Sequence, residues 1–325
     1  MHGASLGRNG LSVSSEDEYE DLLGLWADLE SSLAIALGYP GSVQEFEARV
    51  RQYDRWMNDL LRQDTDVGLY LLFQLATRSP VGYSTSHALV CAVLCHLLAL
   101  EFDLPAHERD SLIYAALTMN LAMTRLQDEL ATQTAKPSPE QRAAIKAHAQ
   151  QGAQLLGTLG IQNALWLDVI AQHHHDNPGR VALAQMSPVQ RLAHILNVVD
   201  RYAAMISPRQ SREGRSSMES AQSLLAEASG QASGVAQALV RIVGLCPPGT
   251  YVRLDDAEVA VVTRRSELPN APDVAIVLNP NGQPLRPPSL HHTSRGKPVI
   301  DAALAAAAVQ ERINHHLVLQ LAARA

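Results

Sequence analysis

"KPSPEQRAAIKAHAQQGAQLLGTLG", residues 136–160, carries its own punctuation for a helix. Ser138 is placed to cap the start, Pro139 takes the first helical position, and Gln141 closes a capping box with Ser138. Gly157 and Gly160 lie at the far end, where a chain leaves a helix most easily. "MSPVQRLAHILNVVDRYAAMIS", residues 186–207, begins in the same way with Ser187, Pro188 and Gln190. Helix follows helix across residues 79–243, which read as one helical bundle.

Outward from that bundle the grammar changes twice. On the N-terminal side, residues 1–78 hold a helix through "EDEYEDLLGLWADLESSLAIAL", opened by Ser15 and Glu18 and broken by "GYPG". A second helix is expected over about residues 43–61, and a third carries "VGLYLLFQLAT". No catalytic residue stands out there, so packing, a protein partner or a homodimer contact is the expected role. On the C-terminal side, "TYVRLDDAEVAVV" and "DVAIVLNPNGQPL" set β-branched runs around Asp-Asp and Asn-Gly turns. Residues 244–298 therefore read as a small antiparallel β unit, and the Ala-rich residues 299–325 as a closing amphipathic helix. The fold class expected is mainly α.

Composition narrows the function classes. Among 325 residues, 46% are hydrophobic and 18% charged, the balance of a globular protein. A net charge of −7 argues against a chain that coats nucleic acid, while leaving room for a local basic pocket. Three cysteines in so long a chain suggest reduced thiols and a cytoplasmic setting. The first residues lack a signal-peptide pattern, and "HALVCAVLCHLLAL" is short for a membrane span and interrupted by histidine. A soluble protein is expected.

The informative residues are polar side chains where helical spacing calls for apolar ones. In "VIAQHHHDNPGR", residues 169–180, the stripe of Trp166, Val169 and Ile170 continues into His173 and His174, while His175 falls off it. His148 extends the stripe of Ile145 and Leu155. Asp200 borders that of Leu192, Ile195, Val199 and Tyr202. His87 shares a face with Cys91 and Cys95. Each has an ordinary reading: a hydrogen-bonded core histidine, an Asp200 paired with Arg191 or Arg201, cysteines as core filler. His291–His292 and His315–His316 read as surface pairs. The coincidence of His148, His173, His174 and Asp200 on three consecutive amphipathic helices favours a divalent metal such as zinc, manganese or iron.

The order of "YSTSHALV", "YAALTMNLAM", "KPSPEQRAAIKAHAQQG", "VIAQHHHDNPG", "RLAHILNVVDRYAAMISPRQSR" and "GLCPPGTYVRLDDAEVAVV" resembles the HD-GYP family over roughly residues 80–290. That family is a branch of the HD superfamily of metal-dependent phosphohydrolases. Its active members hydrolyse the bacterial second messenger cyclic di-GMP at a two- or three-metal site. The resemblance implies that His148, His173, His174 and Asp200 descend from metal ligands, and that His87 matches an upstream histidine serving a third metal. It also implies that Arg209 and Arg212 hold nucleotide phosphates, work suited to guanidinium groups.

The departures from the family pattern are at its chemistry. Met119-Asn120 stands where the family has His-Asp, and Ala122-Met123 where it has Gly-Lys. The Gly-Tyr-Pro signature is absent after the histidines, Ala203 replaces a second aspartate, and Tyr83 an upstream glutamate. Two close cations need an anion between them, and Asn120 is neutral while Met119 offers only a thioether. The expectation is a degenerate, catalytically impaired regulator or sensor of cyclic di-GMP or a related nucleotide, with at most one bound ion and no two-metal site. The alternatives are a one-metal, three-histidine phosphohydrolase and a non-catalytic interaction module.

Overall fold

Ser138 and Ser187 cap their helices as the sequence requires. In the computed structural model the Ser138 hydroxyl accepts from the Gln141 N–H at 3.2 Å, and the Gln141 side chain accepts from the Ser138 N–H at 2.9 Å. Ser187 and Gln190 reciprocate at 3.4 and 3.2 Å. The structure describes residues 15–78, 82–175, 181–207, 214–227, 233–268 and 270–323.

The helices run α1 (Ser15–Gly38), α2 (Phe46–Gln63), α3 (Thr65–Arg78), α4 (Tyr83–Glu101), α5 (Ala106–Thr118) and α6 (Thr124–Thr132). They continue as α7 (Pro139–Thr158), α8 (Ala164–Gln172), α9 (Pro188–Ile206), α10 (Ser217–Glu227), α11 (Ser233–Val243) and, after the sheet, α12 (His315–Ala323). The central element is α4, buried at every position from Ser84 to His96. Being apolar all round, it is long and apolar enough to cross a membrane, yet 78% of its apolar stretch is buried inside the fold. Asp128 of α6 holds its start, accepting from the Ser84 N–H at 2.7 Å and the Ser84 hydroxyl at 3.0 Å.

One continuous apolar core runs from Leu22 and Trp26 of α1 through Tyr70, Leu94, Trp166, Leu196 and Leu239 to Leu319 of α12. The N-terminal helices thus extend the bundle's own core.

The β unit is antiparallel throughout: β1 (Tyr251–Leu254), β2 (Val259–Arg264), β3 (Asp273–Leu278), β4 (Pro284–His292) and β5 (Ile300–Leu304), in the order β4-β3-β2-β1-β5. Both hairpins form where the turn residues stand, with Ala257 (φ 69°) and Gly282 (φ 76°) in the left-handed region. The sheet is fastened to α3: Arg264 pairs with Asp64 at 2.6 Å and Arg265 with Asp66 at 2.5 Å. Gly249 lies so close to the Tyr70 backbone that an added Cβ would sit 2.3 Å from its carbonyl oxygen.

Two expectations need correction. The residues 299–325 do not form one helix: Ile300–Leu304 is a strand paired with β1, Ala306–Ala308 a 3-10 turn, and among the described residues the α-helix is confined to His315–Ala323. Alanine's helix preference is worth a few tenths of a kcal/mol per residue, roughly, and yields to a sheet edge that satisfies the backbone. The C-terminal histidine pairs are not surface pairs either. His291 and His292 lie partly buried on β4, with His292 bonded to Asp273 at 2.8 Å, and His315 meets the Tyr70 hydroxyl at 2.6 Å.

Candidate metal centre

Two helices deliver three imidazoles to one place. His148 comes from the middle of α7, and His173 and His174 follow the last turn of α8. Their ring centroids are 5.3, 5.0 and 4.0 Å apart, and one nitrogen from each lies within 4.8 Å of the others. Asn197 of α9 donates to the His173 carbonyl at 2.8 Å and so ties the end of α8 to α9.

The tautomers of the two buried rings follow from their partners. His148 Nδ1 lies 2.6 Å from the Ile145 carbonyl and His173 Nδ1 2.6 Å from the Ile170 carbonyl. A carbonyl only accepts, so each Nδ1 carries the proton and each Nε2 a lone pair. Both Nε2 atoms are buried without a hydrogen-bond partner. Orphaned acceptors of this kind carry a desolvation cost, and a backbone-anchored Nδ1 is the usual support of a metal-binding histidine. Burial lowers His173 to about 4, with the neighbouring His174 adding to the effect, and burial likewise lowers His148. Both rings are therefore uncharged at neutral pH, the form a cation needs.

His174 departs from the expected geometry. The helical stripe placed it inward beside His173, but α8 ends at Gln172 and His174 is exposed. It joins the cluster from the solvent side, which leaves the group accessible. His175 is exposed as expected.

The second cluster centres on Asp200 of α9. Its Oδ1 accepts from His87 Nε2 of α4 at 2.8 Å, and Cys91 Sγ lies 3.6 Å from the same nitrogen. Burial alone would raise the Asp200 carboxyl. The His87 hydrogen bond leads the effects that outweigh it and hold the group well below the usual carboxylate range. Asp200 thus pairs with His87, whereas Arg191 is committed to Glu108 of α5 at 2.6 Å. The Tyr83 ring stacks on His87, 5.6 Å between centroids and 13° from parallel. Cys95 is buried one turn further along α4 and outside the cluster.

Met119 and Asn120 follow the last turn of α5 and are only 1% and 7% exposed. Met119 borders α7 one turn beyond His148, since a Cβ on Gly152 would stand 3.4 Å from the Met119 carbonyl oxygen. Asn120 lies in the turn between α5 and a 3-10 segment, Leu121–Met123, with Met123 partly buried. Met119 and Asn120, a thioether and a neutral amide, thus follow α5 where its end meets α7, and these two residues supply no anion. Arg209 and Arg212 lie outside the described residues, as do residues 176–180.

The donor chemistry fits one zinc-type ion on three imidazoles with an open position. Cys91 is the neighbour that spacing hinted at, four residues after His87 on one helical face, although cysteine filler is the commoner reading of such a pattern. The stacking of Tyr83 and the capping by Asp128, 44 residues from Ser84, had no signal in the sequence.

Residues 71–231 match the family model described as "HD domain". A cyclic di-GMP phosphodiesterase of Pseudomonas aeruginosa is 27% identical over 195 residues, 59% of this chain and 47% of that protein. The chain therefore spans about half the length of that curated relative. Among solved structures, an HDG"Y"P protein of Bdellovibrio bacteriovorus superposes with a TM-score of 0.51 at 16% identity, covering 71% of this chain and 73% of its own. That likeness is one of fold.

Proposed function

Since residues 71–231 of this chain belong to the HD domain family, we propose that it is a catalytically impaired member, a sensor or regulator that binds cyclic di-GMP or a related nucleotide. The observation that carries the reading is an asymmetry within one site. On one side His148, His173 and His174 stand gathered, with the lone pairs of His148 and His173 unpartnered. On the other, Met119 and Asn120 occupy the end of α5 with no carboxylate between them.

In this reading His148, His173 and His174 hold one divalent ion. When bound, such an ion supplies positive charge to a phosphate and polarises a water. The chain's own residues do the rest. Ile145 and Ile170 orient two rings through their carbonyls, and Asn197 fixes the turn that carries His173 and His174. Arg209 and Arg212 contribute charge-assisted contacts to phosphate oxygens. Without an anion at position 120, two ions cannot be bridged there, and cleavage slows by several powers of ten, each corresponding to about 1.4 kcal/mol.

Calorimetric titration with cyclic di-GMP tests this reading. Binding without turnover, weakened in Arg209→Ala, is the expected result. No binding to this or related nucleotides would make the chain an interaction module instead. The exposed position of His174 favours one second reading, a slow one-ion phosphohydrolase. It predicts activity that His174→Ala abolishes.

A further inference from the structure

We infer that the outer face of α1 joins two copies of this chain in an antiparallel, two-fold contact centred on Ser32. This contact is independent of the metal centre. α1 is apolar on two sides. Leu22, Trp26, Leu29, Leu33 and Leu37 enter the core, as one stripe of an amphipathic helix must. On the other side Leu25 and Ile35 are 37% and 65% exposed, and Tyr39, just past the helix end, is 63% exposed. Seven large apolar side chains stand exposed among the described residues, and three of them fall on this one face.

The exposed residues repeat with a period that two helices can share. Leu25, Asp28, Ser32, Ile35 and Tyr39 are separated by three and four residues in turn, the spacing of a coiled-coil seam. The Tyr39 N–H still donates to the Ile35 carbonyl at 3.0 Å, so the helical path carries the seam as far as Tyr39. Gly24, Ala27 and Ser31 are exposed beside it and leave room for a second helix to approach.

Charge fixes the occupant and its direction. Arg125 of α6 lies over the Tyr39 ring, 5.6 Å from its centroid, and is exposed. Among the described residues it forms no ion pair, while Asp28, the one charged residue of the seam, is exposed as well. α1 opens on Ser-Glu-Asp-Glu-Tyr-Glu-Asp and has no basic residue in its last turn. Parallel copies would set two acidic starts side by side, which like charge disfavours. Antiparallel copies centred on Ser32 put Leu25 against the second copy's Tyr39. Asp28, one turn from Leu25, then comes within reach of the second copy's Arg125, and symmetry repeats both contacts. A helix of 24 residues is about 36 Å long, so the contact is near the low end of specific interfaces and the copies associate reversibly.

Sedimentation equilibrium of the full chain, up to millimolar concentration, tests the inference. The mass should rise with concentration from one chain toward two. Ile35→Asp should hold it at one chain and leave the urea midpoint unchanged, because the side chain is exposed. Arg125→Glu should weaken association about fivefold, and Asp28→Lys added to the same chain should restore it. Oxidation gives the register: Ser32→Cys should cross-link two copies by itself, whereas Leu25→Cys should need Tyr39→Cys in the same chain. The native cysteines Cys91, Cys95 and Cys246 are buried and do not compete. A mass of one chain at every concentration overturns the inference and leaves the face to a different partner. So does a dimer that Ile35→Asp leaves intact. Cross-linking by Leu25→Cys alone, the mark of parallel copies, overturns it too.

Discussion

The two ends of α5 differ in charge. In its first turn Glu108, 4% exposed, is gripped by Arg191 of α9 through contacts of 2.6, 2.7 and 3.1 Å. Past its last turn stand Met119 and Asn120, just as buried and without a charge. An ionic pair joins the start of α5 to α9, while neutral residues stand at its end. Packing needs shape and satisfied hydrogen bonds at residues 119 and 120, and a methionine with an amide supplies both. Two-ion chemistry needs negative charge there, and packing does not select for it.

The comparison breaks most visibly at its structural end. Glu108→Ala leaves Arg191 partly buried and unpaired and should destabilise the protein by about 3–5 kcal/mol in urea denaturation, with no matching change from Asn120→Ala. Equal losses would mean that the two ends of α5 do similar structural work.

The next effect is acid lability of the metal-free protein. His173 is neutral in the fold, held at about 4, and titrates near 6.5 when released. The unfolded chain therefore binds the extra proton between those values, so stability is greatest above pH 6.5 and falls as pH drops toward 4. The loss is on the order of 3 kcal/mol. His173→Gln should flatten that part of the urea-midpoint profile, and an unchanged slope would contradict the neutral assignment.

At the chemical end, Met119→His with Asn120→Asp should raise cyclic di-GMP hydrolysis at least about a hundredfold, roughly 2.7 kcal/mol of barrier. The smallest effect falls on binding. Arg209→Ala should weaken nucleotide affinity about tenfold, near 1.4 kcal/mol, as read by calorimetry.

The same division separates what the sequence makes legible from what it hides. Ser138, Pro139 and Gln141 act on residues within one turn, so their cap is visible in the string of letters. His148 and His173 stand out because an imidazole on an apolar stripe breaks a period. His174 misleads for the same reason: α8 ends at Gln172, His173 stays buried, and His174 follows the turn rather than the stripe. The strand Ile300–Leu304 depends on β1, about fifty residues earlier, and local alanine preference points the other way. Arg264 meets Asp64 across 200 residues, a contact no local pattern announces. Asp200 was visible as a costly carboxylate, but its partner His87 lies 113 residues away.

The most direct test is the rate of cyclic di-GMP hydrolysis by the unsubstituted chain loaded in turn with zinc, manganese and iron. The account gives turnover near background with every ion, while calorimetry on the same samples still detects the nucleotide. Rapid turnover that Met119→His with Asn120→Asp leaves unchanged would contradict it, because two neutral side chains would then be doing the work of an imidazole and a bridging anion.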